Sequence, residues 1–524
     1  EVLRALAQET GELDLIGMKT ISGGMFAQGI ESVIRQRLSR VPADMRLRLK
    51  LAAVMGRQLD LDVLRLTTRH PADIEQWLIG LADAAILAVQ GNQWQFSHDK
   101  LRDALLRDMT FDEHRQLNEI AAKGLERVYG EAEDQLARLA WHWSQAQNLE
   151  REYHYRVKAG VQALGNAFYN DATTHLQRAI KLGESNPPLE QAELYRQVAE
   201  AYYGSGDHLK SLEANRLALA LLGLPFKLDA TFDKLRKLDL ITLPGASPAE
   251  RRRALLMAAR ICLRIARIAS QSGRYEYLGH ALHLGLSALE EVDDADVALT
   301  AQHYSQTALL MLYNQQHALA EHYAQLTDEL APQVTRPVES ANLKITRGLY
   351  AATRGRWSAA EQLLTNAADT LEAAGSLFDA QDAISLHLLI ALCLGNWEKA
   401  SALSERLMAS ARKTGRDNAA LAGWLGKFDA MLGMGQIEEA ELSWWEHRLQ
   451  FNLPTDHALP LLLLRSNNLN DLDGDVIEKL TAANAARSPY NFSALFDYMV
   501  EIEAYLTLWE KRADRAYRVK AKSA

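Results

Sequence analysis

From about residue 160 onward, apolar side chains recur at helical spacing in pairs of segments that are joined by a tight turn. In the clearest copies a glycine forms the turn, a large apolar residue follows two positions later, and an alanine follows five positions later. The glycines of these copies, Gly355, Gly395 and Gly435, are 40 residues apart. Weaker copies turn at Ala167, Gly206, Gly273 and Asn314. The pattern predicts a tandem array of antiparallel helix pairs.

Each position of this repeat has a physical role. Glycine ends the first helix because it accepts a left-handed backbone conformation. We expect Trp357 and Trp397 to fill the space between the two helices of their own pairs, and the alanines to let the second helix approach closely. One pair cannot bury its apolar face alone, so neighbouring pairs stack into a superhelix with a concave side. The predicted array resembles the tetratricopeptide (TPR) class, although that class has a basic unit of about 34 residues.

The array is interrupted between residues 224 and 250. Pro225, Pro244, Gly245 and Pro248 accumulate there, and the helical pattern lapses. We expect a long inserted loop or a boundary between two parts of the array.

Residues 28–130 follow a different pattern. Apolar residues recur at helical spacing before Pro42, which is placed to begin the next helix. The alternation in residues 45–51 also fits a strand, but the run to Gly56 is long enough to favour a helix. Further on, a hairpin is predicted around Gly91-Asn92, with Leu87 opposite Phe96 and Val89 opposite Trp94. Helices followed by one hairpin and another helix are typical of a winged helix.

Composition and charge narrow the classes of protein. Hydrophobic residues make up 48% and charged residues 24% of the 524 residues, so the chain can bury a substantial interior. The net charge of −9 is spread along the sequence, which argues against a protein that coats nucleic acid or anionic membrane. Cys262 and Cys393 stand alone, and this fits a reducing cytoplasm. No apolar run is long enough to cross a bilayer.

No pattern typical of an active site occurs. His280 and His283 can share a helical face, but no carboxylate or cysteine stands at metal-ligand spacing beside them. HExxH and GxSxG are both absent. We interpret the two histidines as core or solvated residues, and we predict no catalytic residue, no metal site and no enzyme activity within this chain.

Two basic features are present. Arg253, Arg260, Arg264 and Arg267 fall on one stripe of a helix, which we interpret as a solvated face paired with acidic neighbours. A second group lies at the end of the chain, where a linker helix and a phosphate-binding patch are equally compatible with the sequence; its members are Lys511, Arg512, Arg515, Arg518, Lys520 and Lys522.

Residues 96–105 are the most informative segment, because they close the hairpin and open a helix. Asp99 is a natural cap for that helix, so on structural grounds alone His98 and Asp99 are a strand end and a helix cap. The segment also resembles the end of the winged-helix module in signal-transduction ATPases with numerous domains (STAND). In that class a Phe-x-His-Asp motif, matched here from Phe96 to Asp99, puts the histidine against the β-phosphate of bound ADP.

The resemblance to STAND proteins covers about residues 1–220. Residues 1–7 are similar to the helix that follows the lid of the ATPase module, and residues 29–38 and 51–57 are similar to the start of the winged helix. The phosphate-binding loop of that family is absent. The resemblance therefore implies that ADP or ATP belongs to an upstream module, where His98 and Asp99 would sense its state. Because the first residue is Glu1, we expect such a module upstream.

These observations predict an all-α protein with one β-hairpin, in which a winged helix precedes a TPR-like superhelix. It is a regulatory arm with the following limits: the end of an ATPase lid (1–27), a winged helix (28–130), a first set of repeats (131–223), an interruption (224–250) and a second array (251–524). The repeats would bind a protein, a peptide or a small effector on their concave side, and oligomerisation through the complete ATPase is compatible with this arrangement. The alternative is a free-standing TPR-like scaffold or winged-helix transcription regulator. DNA reading is disfavoured, because the helix before the hairpin, about residues 72–85, carries acidic residues and no basic one.

Overall fold

The computed structural model describes residues 34–66, 73–224, 226, 246–271, 275–292, 296–451, 458–466, 474–485, 495–513 and 515–523. The chain forms two compact units that divide between Asn186 and Pro187. The predicted fold class is confirmed in its main feature, since helices dominate and the described residues contain one two-stranded sheet.

The first unit contains helices around a hairpin, followed by further helices that pack in sequence. Its elements are α1 (Ala43–Met55), α2 (Leu61–Leu66), α3 (Asp73–Asp83), β1 (Leu87–Gln90), β2 (Gln93–Phe96), α4 (Asp99–Arg107), α5 (Phe111–Tyr129), α6 (Leu136–Gln145), α7 (Leu149–Gly165) and α8 (Tyr169–Leu182). The choice of helix over strand for the run before Gly56 is confirmed by α1.

The hairpin has the predicted register. Leu87 lies opposite Phe96 and Val89 lies opposite Trp94, and Gly91 takes a φ of 61° in the turn. Leu87 and Phe96 are 2% and 0% exposed, whereas Val89 is 55% exposed. One end of the shared apolar face therefore packs into the core, and the end near the turn reaches solvent.

One hydrophobic core extends from Ile34 to Ala159. It includes buried side chains of α1, the hairpin, α5, α6 and α7, because α6 packs onto α5 and α7 packs onto α6. The predicted limit of the winged helix at residue 130 therefore does not coincide with a break in the core. The domain limits at 130, 223 and 250 remain predictions.

The second unit is a succession of helix pairs. Its helices are α9 (Pro188–Gly204), α10 (His208–Leu221), α11 (Pro248–Gln271), α12 (Tyr275–Glu290), α13 (Val297–Tyr313), α14 (His317–Leu330), α15 (Pro337–Thr353), α16 (Trp357–Ala373), α17 (Leu377–Cys393), α18 (Trp397–Thr414), α19 (Asp417–Gly433), α20 (Ile437–Phe451), α21 (Ala458–Arg465), α22 (Gly474–Ala485), α23 (Leu495–Arg512) and α24 (Arg515–Ser523). Most of the predicted interruption, residues 227–245, lies outside the described residues. Across the described part of the chain, every helix is too short or too polar to span a lipid bilayer.

The three clearest turns have the predicted conformation. Gly355, Gly395 and Gly435 have φ values of 71°, 66° and 77°. The residue after each glycine donates its backbone N–H to the carbonyl five positions earlier, as from Arg356 to Ala351 at 2.8 Å. This bond satisfies a carbonyl that the end of the helix would otherwise leave without a partner.

The weaker turns follow the same pattern with one shift. Ala167 and Gly206 are left-handed, with φ values of 60° and 84°. At the turn predicted at Asn314, the left-handed residue is Gln315, one position later. Asn314 stays at the helix end, where its side-chain amide donates to the carbonyl of Leu310 at 2.9 Å. The remaining predicted turn residue, Gly273, lies outside the described residues.

The alanines and tryptophans pack the helices, but the role predicted for Trp397 needs a correction. Ala360, Ala400 and Ala440 are 0% exposed, as their predicted role requires. The ring of Trp397 lies against Gly433 of α19, where a Cβ atom would approach the ring to 2.3 Å. Trp397 therefore contacts the first helix of the following pair, so its ring does not lie only between the two helices of its own pair.

The first helices of successive pairs lie side by side. Contacts join α9 to α11, α11 to α13, α13 to α15, α15 to α17 and α17 to α19. No comparable succession of contacts joins the second helices within the described residues. We call α9, α11, α13, α15, α17 and α19 the first-helix row. The concave side that was predicted for the array remains a prediction.

A buried histidine joins two helices of this row, α11 and α13, by a hydrogen bond, and it makes the stability of the second unit depend on pH. His303 of α13 is 0% exposed and donates from Nε2 to the carbonyl oxygen of Ala259 in α11 at 3.0 Å. Burial lowers the pKa of His303 to about 4, and the hydrogen bond opposes this only in part. The neutral imidazole thus favours the folded state above the unfolded pKa of about 6.5. This contribution is lost as pH falls from about 6.5 towards about 4.

We expect His303→Gln to weaken the acid sensitivity of the second unit. Between about pH 7 and pH 5 the native chain should lose on the order of 2 kcal/mol of unfolding free energy through His303, and the variant should not. Urea unfolding across this pH range, with hydrogen exchange to locate the change in α11 and α13, measures the difference. Equal pH slopes for the two proteins would contradict the prediction.

Candidate functional site

The second unit contains a cavity of about 260 Å³ along the first-helix row, and the cavity is open to solvent on one side, where Arg260 is 51% exposed. We call it the charged cavity. Its walls come from α9 and α11 and from residues at or next to the amino ends of α13, α15 and α17. Four arginines line it, namely Arg196, Arg260, Arg264 and Arg267. Four carboxylates line it as well, namely Glu200, Asp296, Glu339 and Asp379. The lining is therefore strongly charged but balanced in sign.

Two side chains, Glu200 and Tyr203, hold Arg264 in place. Its Nε lies 3.1 Å from one carboxylate oxygen of Glu200, and an NH2 nitrogen lies 2.6 Å from the other. Its guanidinium carbon lies 4.1 Å from the ring centroid of Tyr203. A bidentate ion pair and a cation–π contact fix the orientation of the side chain. The NH1 nitrogen is buried and has no hydrogen-bond partner.

Arg267 joins two helices that are far apart in sequence. One of its terminal nitrogens lies 2.7 Å from Asp379 and 2.9 Å from Asp382, both in α17. Arg416, just before α19, contacts the other oxygen of Asp382 at 2.9 Å. The four side chains are each no more than 20% exposed. They form a buried ionic network that ties α11 to α17 and α17 to the start of α19.

The network favours the ionised forms of Asp379 and Arg267. Burial alone would raise the pKa of Asp379, but Arg267 and Arg264 more than offset it, and the pKa lies below its usual value. Burial likewise opposes the charge on Arg267, yet the neighbouring carboxylates hold its pKa well above the ordinary one. Asp379 also accepts hydrogen bonds from Ser376 at 3.0 Å and Asn342 at 3.3 Å. Asp379 and Arg267 are therefore both ionised at physiological pH.

At the other end of the charged cavity, the carboxylates of Asp296 and Glu339 have more distant or more exposed arginine partners. Asp296 caps α13 and contacts Arg260 at 3.4 Å and Arg336 at 3.5 Å. Glu339 contacts Arg336 at 2.8 Å, but that arginine is 65% exposed. Burial, followed by the nearby charge of Asp296, raises the pKa of Glu339 despite Arg336. A further cation at Glu339 would be electrostatically favourable.

Two polar atoms of the lining have no partner. The NH1 nitrogen of Arg264 can donate, and the side-chain oxygen of Asn342 can accept. Both atoms are shielded from the open space of the cavity, and a buried polar atom without a partner costs free energy. The lining contains no cysteine, serine, threonine or histidine, and no metal-binding cluster of His, Cys, Asp or Glu occurs among the described residues.

His98 and Asp99 lie in the first unit and not in the charged cavity. Both are exposed, at the junction of β2 and α4. The expectation that Asp99 caps α4 is wrong: His98 occupies the cap position, without a side-chain cap bond, and Asp99 is the first helical residue. The carboxylate of Asp99 points instead to the guanidinium of Arg57, 3.3 Å away. Both side chains are accessible to another module.

The arginine stripe was interpreted as a solvated helix face with acidic partners, and the structure agrees with this only in part. The pairing with acidic residues is confirmed for Arg260, Arg264 and Arg267. Arg253 and Arg260 are exposed, as expected, whereas Arg264 and Arg267 are each only 20% exposed. The acidic partners lie up to 115 residues away, in helices whose proximity no local pattern shows. His280 is buried against Phe226 and His283 is half-buried, which agrees with core histidines.

Comparisons with known proteins do not assign a family. No family model matches the sequence, and no curated protein matches it. A STAND protein with a tetratricopeptide repeat sensor from Pyrococcus horikoshii is a similar solved structure, at 13% identity and a TM-score of 0.46, over 96% of this chain and 68% of that one. At this score the likeness supports no conclusion about function.

Two further structures are less similar. A Rap protein complexed with Competence and Sporulation Factor aligns at 17% identity and a TM-score of 0.32, over 79% of this chain and 94% of that one. Aspartyl phosphate phosphatase F from Bacillus subtilis aligns at 15% identity and a TM-score of 0.29, over 88% and 95%. The assignment of a TPR-like helical-repeat fold rests on the helices and turns of this chain.

Proposed function

We propose that this chain is the sensing and regulatory arm of a STAND-type signalling ATPase. Its first-helix row binds a protein, a peptide or a small effector, and a winged helix passes the event to a nucleotide-binding module elsewhere in the protein. The observation that carries the binding role is the charged cavity, which four arginines and four carboxylates line beside apolar side chains. ADP and ATP belong to the other module, and the protein works in the cytoplasm.

The order of elements in the first unit supports the winged helix. α1 is followed by a bridge between Gln58 and Gln95, then by α2, α3 and the hairpin. The backbone N–H of Leu59 donates to the carbonyl of Trp94 at 2.8 Å, so residues 57–59 extend the edge of the sheet. The helix before the hairpin, α3, carries no basic residue, which favours a coupling role over DNA reading.

The exposure of His98 supports a contact with bound nucleotide. The side chain stands at the surface, next to the first turn of α4, where it is free to meet a phosphate. One hydrogen bond to a charged group contributes about 1.5–3 kcal/mol, which corresponds to a shift of roughly 10- to 150-fold between two conformations. If the bond forms only with ADP, it favours the resting state.

We expect His98→Ala, in the protein that contains the nucleotide-binding module, to release ADP faster and to raise output in the absence of a ligand. The change should be about 10-fold or more, because the lost bond acts in one state only. Stability should hardly change, since His98 is exposed and makes no cap bond. Measurement of ADP release and basal output, with a melting curve, tests this.

Asp99→Ala is the matched variant. It should act in the same direction as His98→Ala, and because Asp99 does not cap α4, its effect on stability should be limited to the exposed pair with Arg57. Lys100→Ala, one position further along the same helix, serves as a control that leaves ADP release unchanged. Normal ADP release in folded His98→Ala protein would remove the nucleotide-sensing role and favour a free-standing scaffold.

A further inference from the structure

Helix α24 is basic on one side and anchored by the other. Tyr517 stacks on Tyr505 of α23, with the ring centroids 6.3 Å apart. Ala521 is 9% exposed, in a small core that α24 shares with α21, α22 and α23. Because these contacts fix how α24 lies on α23, they also fix which side chains face solvent. The exposed cations at helical spacing on the outer side, which we call the basic face, are Arg515, Arg518 and Lys522.

The cations of the basic face lack carboxylate partners. Within the part of the chain that the structure describes, their side chains form neither an ion pair nor a hydrogen bond. Other exposed arginines of the second unit do pair, as Arg260 does with Asp296 and Arg336 does with Glu339. Cations three and four positions apart on one helix face repel one another. Binding of an anion would relieve this repulsion.

Helix α23, which lies beside α24, does not supply the missing anions. Glu501 accepts a hydrogen bond from α22 at 2.8 Å, and Glu503 pairs with Arg465 of α21. Glu510 is exposed and forms no ion pair with the basic face. Asp514, between the two helices, lies outside the described residues. The described carboxylates of α23 therefore leave the charge of the basic face uncompensated.

Arg518 is oriented in advance for binding a carboxylate. Its guanidinium carbon lies 5.1 Å from the centroid of the Trp509 ring, a cation–π contact that restricts the side chain. This contact leaves the N–H donors without acceptors, so they remain available for a bidentate bond to one carboxylate. A side chain that is already restricted loses less conformational entropy when a partner binds.

The apolar content of α24 and the net charge of the chain limit the class of partner. Insertion into a lipid surface requires a broad apolar face. Among the exposed side chains of α24, only Val519, at 67%, is large and apolar. A nucleic acid would extend beyond the basic face and meet a chain with a net charge of −9, which repels a long polyanion. A short anionic segment can stay on the basic face.

We propose that the basic face of α24 is a docking surface for a short acidic segment of a partner protein. Arg518 and Lys522 stand about 6 Å apart along the helix axis. Acidic residues two positions apart in an extended segment are separated by about 7 Å, so each meets one of these cations. Arg515 binds a further carboxylate. None of these residues lines the charged cavity, so the proposal does not depend on the sensing role.

Fluorescence anisotropy of labelled hexaglutamate with the full chain tests the class of partner. Hexaglutamine, hexathymidylate and vesicles that contain anionic lipid are the comparison probes. At low ionic strength we expect hexaglutamate to bind at least about tenfold more tightly than hexaglutamine, and added salt should weaken it. Equal binding of the two peptides would overturn the proposal. Tighter binding of the oligonucleotide or of the vesicles would overturn it as well.

Replacing the three cations of the basic face with glutamine in one chain tests the surface. This variant should bind hexaglutamate about tenfold more weakly or worse, because every ion pair is lost. Its melting curve should stay close to that of the native chain, since glutamine favours a helix and Tyr517 and Ala521 are kept. Arg518→Lys keeps the charge without the bidentate donors, so its affinity should lie between those of the native chain and this variant.

The matched control removes the same charge from exposed cations elsewhere in the second unit. It combines Arg356→Gln, Arg412→Gln and Lys413→Gln. Its affinity for hexaglutamate should stay within about twofold of the native value, because distant exposed charges are screened. Unchanged binding in the basic-face variant, or equal weakening in the control, would overturn the docking surface.

Discussion

Replacing Arg267 with methionine is expected to lower the unfolding free energy of the second unit by about 3–5 kcal/mol. The guanidinium is the shared partner of Asp379 and Asp382, and its loss leaves two mostly buried carboxylates with reduced compensation. Methionine keeps much of the length of the side chain, so the effect reports the charge more than the packing. Hydrogen exchange of peptides from α11 and α17 in the full chain measures it.

The stripe itself provides the control for this experiment. Arg260→Met lies on the same helix, but Arg260 is 51% exposed and meets Asp296 at 3.4 Å, so its loss should change stability by no more than about 1 kcal/mol. Asp379→Asn in the Arg267→Met background removes one of the uncompensated charges and should restore part of the loss. Equal effects of Arg267→Met and Arg260→Met would show that the buried network does not hold α11 to α17.

The same network shows where sequence reasoning stops. A helical stripe of arginines can be recognised from spacing, and so can its preference for acidic partners. Which carboxylates pair with it depends on the packing of the array, which places Asp379 and Asp382 of α17 beside Arg267 of α11. Asp379 and Asp382 stand in the first turns of one helix, where acidic residues are common for local reasons. Nothing in their spacing distinguishes a long-range partner from a helix-end charge.

Local features were predictable to the extent that local physics decides them. The hairpin register follows from alternation and from the two-residue turn, and the glycine turns follow from the left-handed conformation that they require. The turns between successive pairs, at Gly375 and Gly415, have the same conformation but were not predicted. The position of Asp99 was missed by one residue, since its side chain prefers Arg57 to the helix end.

We expect Gly433→Ala to destabilise the second unit by about 1–3 kcal/mol, although alanine normally favours a helix. Gly433 is the last residue of α19, and a Cβ atom there would lie 2.3–2.6 Å from three ring atoms of Trp397. The indole is rigid and half-buried against the core, so it cannot move away without disturbing the contact between the two pairs.

A double-variant cycle isolates this contact. In a Trp397→Ala background the space is open, and Gly433→Ala should then be neutral or slightly stabilising, which gives a coupling energy of about 1–3 kcal/mol between the two sites. Gly165→Ala is the matched control, because Gly165 also ends its helix but has no atom within 4 Å of the added Cβ position. Thermal and urea unfolding of the four proteins and the control supply the values. If Gly433→Ala destabilises the chain equally with and without the indole, Trp397 does not pack on α19, and its role returns to the space within its own helix pair.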